Sequence, residues 1–537
     1  MTLVFVTPPP VKPSEPGISG PAAAEWLRRQ GHSAHAIDAS VAWHRFVLDP
    51  DRLQATFEQA CARSLGAGER RAFAAAVRAS ASLGPTLRDA ATYRSRSVYS
   101  SAVSQLEQAL GLVALPYPGL RLGVAMLALE QPRRRLESSA VLDELSRSAG
   151  PFDGYFTGEL LPALARLGAT TVGVSLTFQQ QAPAALRLAR LLAEHLPAAR
   201  RVLGGPLVAC WQAVGVRFDR PPFDAYHQVL PGSDEDLRPL AGELPSNGEP
   251  QAPAAGVRSV GLHELPWEQY LAPGPVVPAA LARGCAWRRC TFCPDHLHPK
   301  HAACSPAELG AWLRTVAARF PAGAMLHLTD SALPPSHLVV LAEVIATERL
   351  PLRWHGFVRV EPELAQPDFA RLLRAGGCAL LQLGVESGSP RLLELMGKGA
   401  SPELARRVLE TTAAAGIRNQ IYLLFGLPTE SDADREQTLE LCEASAGAIQ
   451  AINPALLNLP RLSPMHRHAE RFGITDIVPF GPDTDLSLYD DFRCGSSHPR
   501  REARQWLAHR FFKSGPVKAI RGRLRAAFKA NHLCFLG

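Results

Sequence analysis

"VVPAALARGCAWRRCTFCPDH", residues 276–296, runs from an apolar strand directly into Cys285, Cys290 and Cys293, spaced C-x4-C-x2-C. The strand is the first of a series. "MLHLTDS", "LRWHGFVRV", "ALLQLGVES" and "NQIYLLFGLP" follow it, separated by helical stretches such as "PAELGAWLRTVAARF" and "PELARRVLETTAAAG". At least five strand and helix repeats suit a full or partial (β/α) barrel, whose chemistry sits at the C-terminal ends of its strands. The cysteines occupy such an end.

The preceding half alternates in the same way. "LVFVTPPP", "SAHAIDA", "TTVGVSLTF", "RRVLGGPLVA" and "FDAYHQVLPG" read as strands around helices such as "GPAAAEWLRRQGH", the pattern of a doubly wound parallel sheet. The fold class is α/β: a Rossmann-like sheet, then a partial barrel, then a small helical C-terminal region. The boundaries expected are 1–245 for the first domain, with a helical insertion at about 41–165. A Pro/Gly/Ala-rich linker covers 246–275, the barrel 276–465, and a C-terminal region with a basic tail 466–537.

The chain has 537 residues, beyond the size at which one core stops growing. No apolar run approaches the roughly 18 residues of a membrane span. "MTLVFVTPPPVKP" has neither a basic leader nor a small-residue cleavage site, and the other seven cysteines are scattered singly, so a cytoplasmic location is expected. The net charge of +7 is local: residues 500–529 carry ten Lys/Arg against Glu502 alone. Trp506, Phe511, Phe512, Ile520 and Leu524 interleave those cations, which reads as an amphipathic helix packed by its apolar side. Nucleic acid is not an expected partner.

Three clustered thiols have two chemical readings. One is zinc, with His296, His298 or His301 as fourth ligand. The other is a [4Fe-4S] cluster with one iron left open. The stretch resembles the cluster loop of the radical S-adenosylmethionine (SAM) superfamily, with Phe292 at the aromatic position and a first gap one residue longer than the usual C-x3-C. The resemblance continues downstream. "LQLGVESGSPRLLELMGKG" (381–399) is similar to the family's fourth strand, which implies that Glu386 and Ser387 face SAM. "GIRNQIYLLFGLPTES" (416–431) is similar to the fifth, which implies that Gly426 and Pro428 meet adenine while Glu430 fixes the turn. "HLTDS" (327–331) stands where the family has a Gly-Gly-Glu segment, and Thr329 and Asp330 would take its role.

The first domain resembles the cobalamin-binding domain that precedes the barrel in one class of that superfamily. The resemblance rests on Pro8 after strand one, Ser175 and Thr177 at a later strand end, and Gly204 and Gly205. An Asp-x-His-x-x-Gly motif is absent, so no histidine there would ligate cobalt. A nicotinamide Rossmann fold is the rival, with Asp38 as ribose-binding acid, but "TPPPVKPSEPG" has no G-x-G-x-x-G.

Together these resemblances imply an enzyme with a [4Fe-4S] cluster on Cys285, Cys290 and Cys293, SAM and cobalamin. Its expected reaction is methylation of an unactivated carbon in a natural-product or peptide intermediate, through a 5′-deoxyadenosyl radical and methylcobalamin. Its partners would be that substrate and an electron donor such as flavodoxin or ferredoxin. The alternatives are a cyclisation, rearrangement or oxidation without methyl transfer, or, from another class, a zinc- or cluster-bearing nucleic-acid-binding protein. No acid or base is singled out beyond the cluster.

Overall fold

The computed structural model describes residues 1–61, 65–131, 133–231, 237, 240, 256–294, 301–523 and 532–536. Linker residues 246–255, His296, His298 and tail residues 524–531 lie outside the described residues.

The N-terminal sheet contains β1 (Thr2–Thr7) and β2 (Ser33–Asp38). After an insertion bearing the hairpin β3 (Leu120–Gly123) and β4 (Met126–Leu129) come β5 (Thr171–Ser175), β6 (Arg200–Gly204) and β7 (Gln228–Leu230). Its order is β2-β1-β5-β6-β7, all parallel. Val4, Val6, Val172 and Val174 are buried, as expected of strands covered on both faces. The order reverses between β1 and β5, the switch point at whose carboxyl edge such sheets bind ligands.

Helices Ala39–Val47, Pro50–Cys61, Ala67–Arg88 and Arg96–Ala114 open the insertion; the hairpin was not anticipated. Asp38 begins it. Its carboxylate accepts from the Ser40 and Val41 N–H groups as a helix cap, and the Tyr270 hydroxyl donates to it at 2.8 Å. Those bonds and its burial leave Asp38 nothing for a ribose.

The second sheet contains β8 (Arg258–Ser259) and β9 (Val276–Ala280). After the short pair β10 (Ala282–Arg283) and β11 (Ala302–Ala303) come β12 (Ala324–Leu328), β13 (Leu352–Arg359), β14 (Cys378–Glu386), β15 (Arg418–Phe425) and β16 (Ala451–Leu456). The order is β16-β15-β14-β13-β12-β9-β8, parallel except for β8 at the edge. With helices such as Pro306–Arg319 and Pro335–Thr347 between the strands, this is a partial barrel. β16 escaped the sequence reading because Asn453-Pro454 breaks its apolar run, and an edge strand tolerates proline.

The C-terminal region is not wholly helical. Leu459–Pro460, Asp476–Val478 and Tyr489–Arg493 form a small antiparallel sheet before helices Pro499–His509 and Gly515–Gly522. Those helices bury Ala503, Leu507, Val517 and Ile520 in the barrel's core, while Arg510 pairs with Glu436 on the outside. The described part of the basic tail is thus a packed amphipathic segment. The terminus ties both halves together: buried His532 bonds the Tyr99 hydroxyl at 3.0 Å and the Leu271 carbonyl at 2.7 Å. Among the described residues no helix is long and apolar enough to cross a membrane.

Gly376, in the turn into β14, has no room for a methyl group: a Cβ there would lie 2.3 Å from the Ala342 Cα. Gly376→Ala should cost about 1–3 kcal/mol in urea denaturation, the usual range for overpacking. Gly447→Ala, whose Cβ meets nothing within 4 Å, should change stability little.

Candidate functional site

The cysteine loop leaves the carboxyl end of β9 and is fastened at three places. At its root, the Asp330 carboxylate accepts from the N–H groups of Leu281 (3.0 Å) and Ala282 (2.7 Å). At its middle, the Trp287 indole N–H donates to the Gly397 carbonyl at 2.9 Å. At its end, the Thr291 N–H and hydroxyl donate to the carbonyls of Met396 and Leu395, both at 2.9 Å. The receiving turn follows helix Pro390–Leu395 and reads Met-Gly-Lys-Gly. Its glycines are required by contact: a Cβ on Gly399 would fall 2.2 Å from the Trp287 ring, and one on Gly397 2.4 Å from the Arg289 carbonyl. The longer C-x4-C gap is absorbed here. Trp287 turns inward onto the turn, and exposed Arg288 takes the left-handed backbone at φ 52°.

Cys290 sits among charges. Lys398, from the same turn, pairs with Glu386 at 2.8 Å, and both side chains are largely buried. Arg359, at the end of β13, donates to the Lys398 carbonyl at 2.6 Å, pairs with Glu361, stacks 3.9 Å over the Trp287 ring and reaches within 4.0 Å of the Cys290 sulfur. Burial pushes the Cys290 thiol up, and Lys398 and Arg359 pull against that shift by favouring a thiolate.

Among the described residues no three His, Cys, Asp or Glu side chains are close enough to grip one ion. His301, a candidate zinc ligand, stands edge-on to His337 at 6.5 Å instead. Three thiols share this loop, and Lys398 and Arg359 beside Cys290 favour the thiolate form that ligation of a [4Fe-4S] group requires.

The remaining residues implied for SAM divide. Glu386 stands at the strand end on a left-handed backbone, φ 65°, just past a bulge in β14, and its carboxylate pairs with Lys398 of the turn that receives the cysteine loop. Gly426 also has positive φ, and its N–H donates to Glu430 at 2.6 Å, so Glu430 does hold the turn; burial pushes that carboxyl up to about 7, with Arg435 opposing. The space beside Gly426 is taken by helix Pro499–His509: a Cβ would meet the Arg500 Cα at 3.0 Å. Pro428 is buried. Phe292 packs in a satellite core with Met396, Leu427 and Met465. Ser387 is buried, its hydroxyl bonded to Thr438 and to the Ser389 N–H. Thr329 donates back to the Ala279 carbonyl, while Asp330, pushed up to about 6 by burial, is spent on the loop's root. These residues hold the cradle from behind, and Glu386 faces its charged side.

At the edge of the first sheet, Ser175, Gly204 and Gly205 line one cavity of about 50 Å³ with Phe5, Gly20 and Pro206. Small residues are needed there. A Cβ on Gly20 would lie 3.2 Å from the Thr7 hydroxyl, and one on Gly205, at φ 108°, 2.5 Å from the Leu176 carbonyl. Pro8 and Thr177 stand beside the cavity instead: fully buried Gln181 donates to the Pro8 carbonyl at 2.7 Å and accepts from the Thr177 N–H at 3.0 Å. The cavity is too small for a corrin ring.

Sequence reasoning missed the barrel's lumen. Glu15, from the proline-rich loop after β1, meets His327 of β12 at 2.9 Å, and His327 stacks on His355 of β13 with centroids 4.4 Å apart. His355 is fully buried and, among the described residues, neither ring nitrogen has a hydrogen-bond partner; Gln382 faces it, short of hydrogen-bond geometry. The Oε1 atoms of Gln382 and Gln420 are also unpartnered, while both amides donate to the Tyr422 hydroxyl at 3.1 Å. Polar residues at positions 353, 355 and 359 of β13, an alternation interrupted by Phe357, were the available signal.

Burial alone would raise the Glu15 carboxyl, but His327, His355 and Lys12 together hold it at about 2, below the ordinary 4.5. A depressed folded-state value stabilises above about pH 4.5 and loses that contribution as pH falls toward 2. The stability gap between wild type and Glu15→Gln should therefore shrink between about pH 5 and pH 3 in urea titrations; a constant gap would contradict the assignment. Lys398→Met, which strands Glu386, should cost about 3 kcal/mol, partly restored by adding Glu386→Gln.

Residues 280–442 match the sequence profile of the Radical SAM superfamily. An uncharacterised methyltransferase of Pyrococcus horikoshii is 26% identical over 183 residues, 33% of this chain and 39% of its own length, so the chain spans well under half of that curated relative. Among solved structures, the radical SAM methyltransferase TsrM of Kitasatospora setae, with cobalamin and a [4Fe-4S] cluster bound, superposes with TM-score 0.54 at 15% identity, covering 98% of this chain and 90% of that one. The cobalamin-dependent radical SAM enzyme OxsB, with aqua-cobalamin bound, gives TM-score 0.51 at 17% identity, covering 75% and 68%. At these identities the likeness is one of fold: a Rossmann-like sheet followed by a partial barrel. Residues 280–442 thus carry a domain with the sequence profile of the Radical SAM superfamily.

Proposed function

We propose that the chain is a cobalamin-dependent radical SAM enzyme that methylates an unactivated carbon of a natural-product or peptide intermediate. The observation that carries the reading is the proximity of its two ligand edges. Glu15, on the loop after β1, meets His327 of the barrel at 2.9 Å, and the Trp211 indole, on the helix that follows Gly205, donates to the Leu486 carbonyl of the C-terminal region at 2.9 Å. A methyl carrier on one edge and a radical generator on the other need that adjacency.

Cys285, Cys290 and Cys293 would hold the cluster, Glu386 the ribose and methionine end of SAM, and the Ser175–Gly204–Gly205 cavity the inserted end of cobalamin. When bound, these groups supply one-electron cleavage of SAM and a transferable methyl. The chain's own part is placement and exclusion. Lys398 and Arg359 offset negative charge at Cys290. Glu15 meets His327 and buried His532 bonds the Leu271 carbonyl, contacts that hold the barrel against the rest of the chain, and such burial matters because a substrate radical must be kept from solvent. The unpartnered atoms of His355, Gln382 and Gln420 suit a hydrogen-bonding group of the substrate. The relationship to a methyltransferase and the fold shared with TsrM and OxsB favour this reading.

Anaerobic reconstitution tests it. The chain should bind iron and sulfide, retain cobalamin, consume SAM in the presence of dithionite and add one methyl mass to its substrate. Cys285→Ala, Cys290→Ala and Cys293→Ala should each abolish SAM consumption. Cys304→Ala should not: that thiol is buried in the barrel core and pushed up to about 11 by burial. Zinc occupancy with no SAM consumption would contradict the proposal.

A further inference from the structure

Outside the barrel, against the back of the cysteine loop, lies a groove of about 720 Å³ lined by Trp287, Arg289, Leu393, Gly399, Leu404 and Arg407. Its floor is apolar: Trp287 and Leu404 are half-buried and Leu393 is buried. Its rim is cationic. Arg289 and Arg407 are exposed, and exposed Arg288 adjoins them against one acid in the lining, Glu394. Among the described residues neither Arg289 nor Arg407 makes an ion pair; Arg289 rests on the Trp287 ring at 4.9 Å. The neighbouring Arg406 differs, being paired with Glu410.

The groove is also the short way to Cys290. The Trp287 ring forms its wall, the Arg359 guanidinium lies 3.9 Å behind that ring, and the Cys290 sulfur lies 4.0 Å beyond the guanidinium. The unusual length of the C-x4-C gap puts Trp287 in this position.

We propose that this groove is the docking surface for an acidic one-electron carrier protein of the flavodoxin or ferredoxin class, an assignment that rests on the function proposed above. Redox encounters use small interfaces, with rapid association steered by complementary charge. A small apolar floor flanked by the exposed Arg289 and Arg407 meets both requirements, and the carrier's acidic rim supplies the opposite charge. In the transfer the carrier gives up one electron and the chain's cluster accepts it; no bond forms or breaks and no proton moves.

The test uses the anaerobically reconstituted full chain and its Arg289→Glu/Arg407→Glu variant, with iron content checked in both. Affinity for purified flavodoxin and for purified ferredoxin is measured by calorimetry at low and high salt, and SAM consumption is measured with dithionite. The wild type should bind at least one carrier with marked salt dependence. The variant should bind about tenfold or more weakly with a flatter salt dependence, while keeping its iron and its dithionite-driven turnover. Equal affinity in both proteins, or no binding of either carrier by the wild type, would overturn the docking assignment. Loss of iron or of dithionite turnover in the variant alone would overturn it too, by making these arginines part of the loop's own scaffold. Absence of dithionite turnover in the wild type would instead overturn the proposed function.

Discussion

The site depends on the seating of one loop on one turn. Trp287 and Thr291 place three hydrogen bonds on the carbonyls of Leu395, Met396 and Gly397, and the Trp287 ring closes on Gly399 with no room for a side chain between them. Every other feature of the charged pocket follows. The turn delivers Lys398, Lys398 meets Glu386 at the end of β14, and Arg359 is held over Trp287 with its hand on the Lys398 carbonyl. A loop bearing three thiols has little intrinsic structure; here backbone carbonyls and a half-buried indole fix it.

The balance of charge around Cys290 has a physical logic. Desolvation disfavours a thiolate, and two nearby cations favour it. Glu386 is the counterweight that lets Lys398 be buried at all, since an unpaired ammonium there would be costly. The same economy appears at Glu15, whose burial is compensated by His327, His355 and Lys12. That pair also joins the two halves of the chain, because Glu15 belongs to the loop after β1 and His327 to the barrel.

Much of the fold was legible in the sequence because parallel strands buried on both faces announce themselves as apolar runs. The five barrel strands and all five strands of the first sheet stand where such runs end in Gly, Pro or polar residues. β16 did not, because Pro454 interrupts it, nor did the small C-terminal sheet, whose strands are two to five residues long. Of the candidate site, the sequence pointed to the three thiols and to Glu386, and the fold brings Cys290 and Glu386 together around Lys398. What could not be read was the direction of side chains. Asp330, Ser387 and Thr329 look like ligand contacts in a linear motif, yet they bond backbone and neighbours behind the site, and Gly426 meets the Arg500 backbone. Lys398 and Arg359 were invisible because their importance comes from a turn and a strand end separated by many residues.

Mössbauer spectroscopy of the ⁵⁷Fe-reconstituted chain, with and without SAM, bears most directly on the central claim that the missing fourth thiol is an open coordination site. The account predicts a cluster in which one iron site changes its isomer shift on SAM addition while the others keep theirs. Four iron sites indifferent to SAM, or a mononuclear metal in place of a cluster, would contradict it.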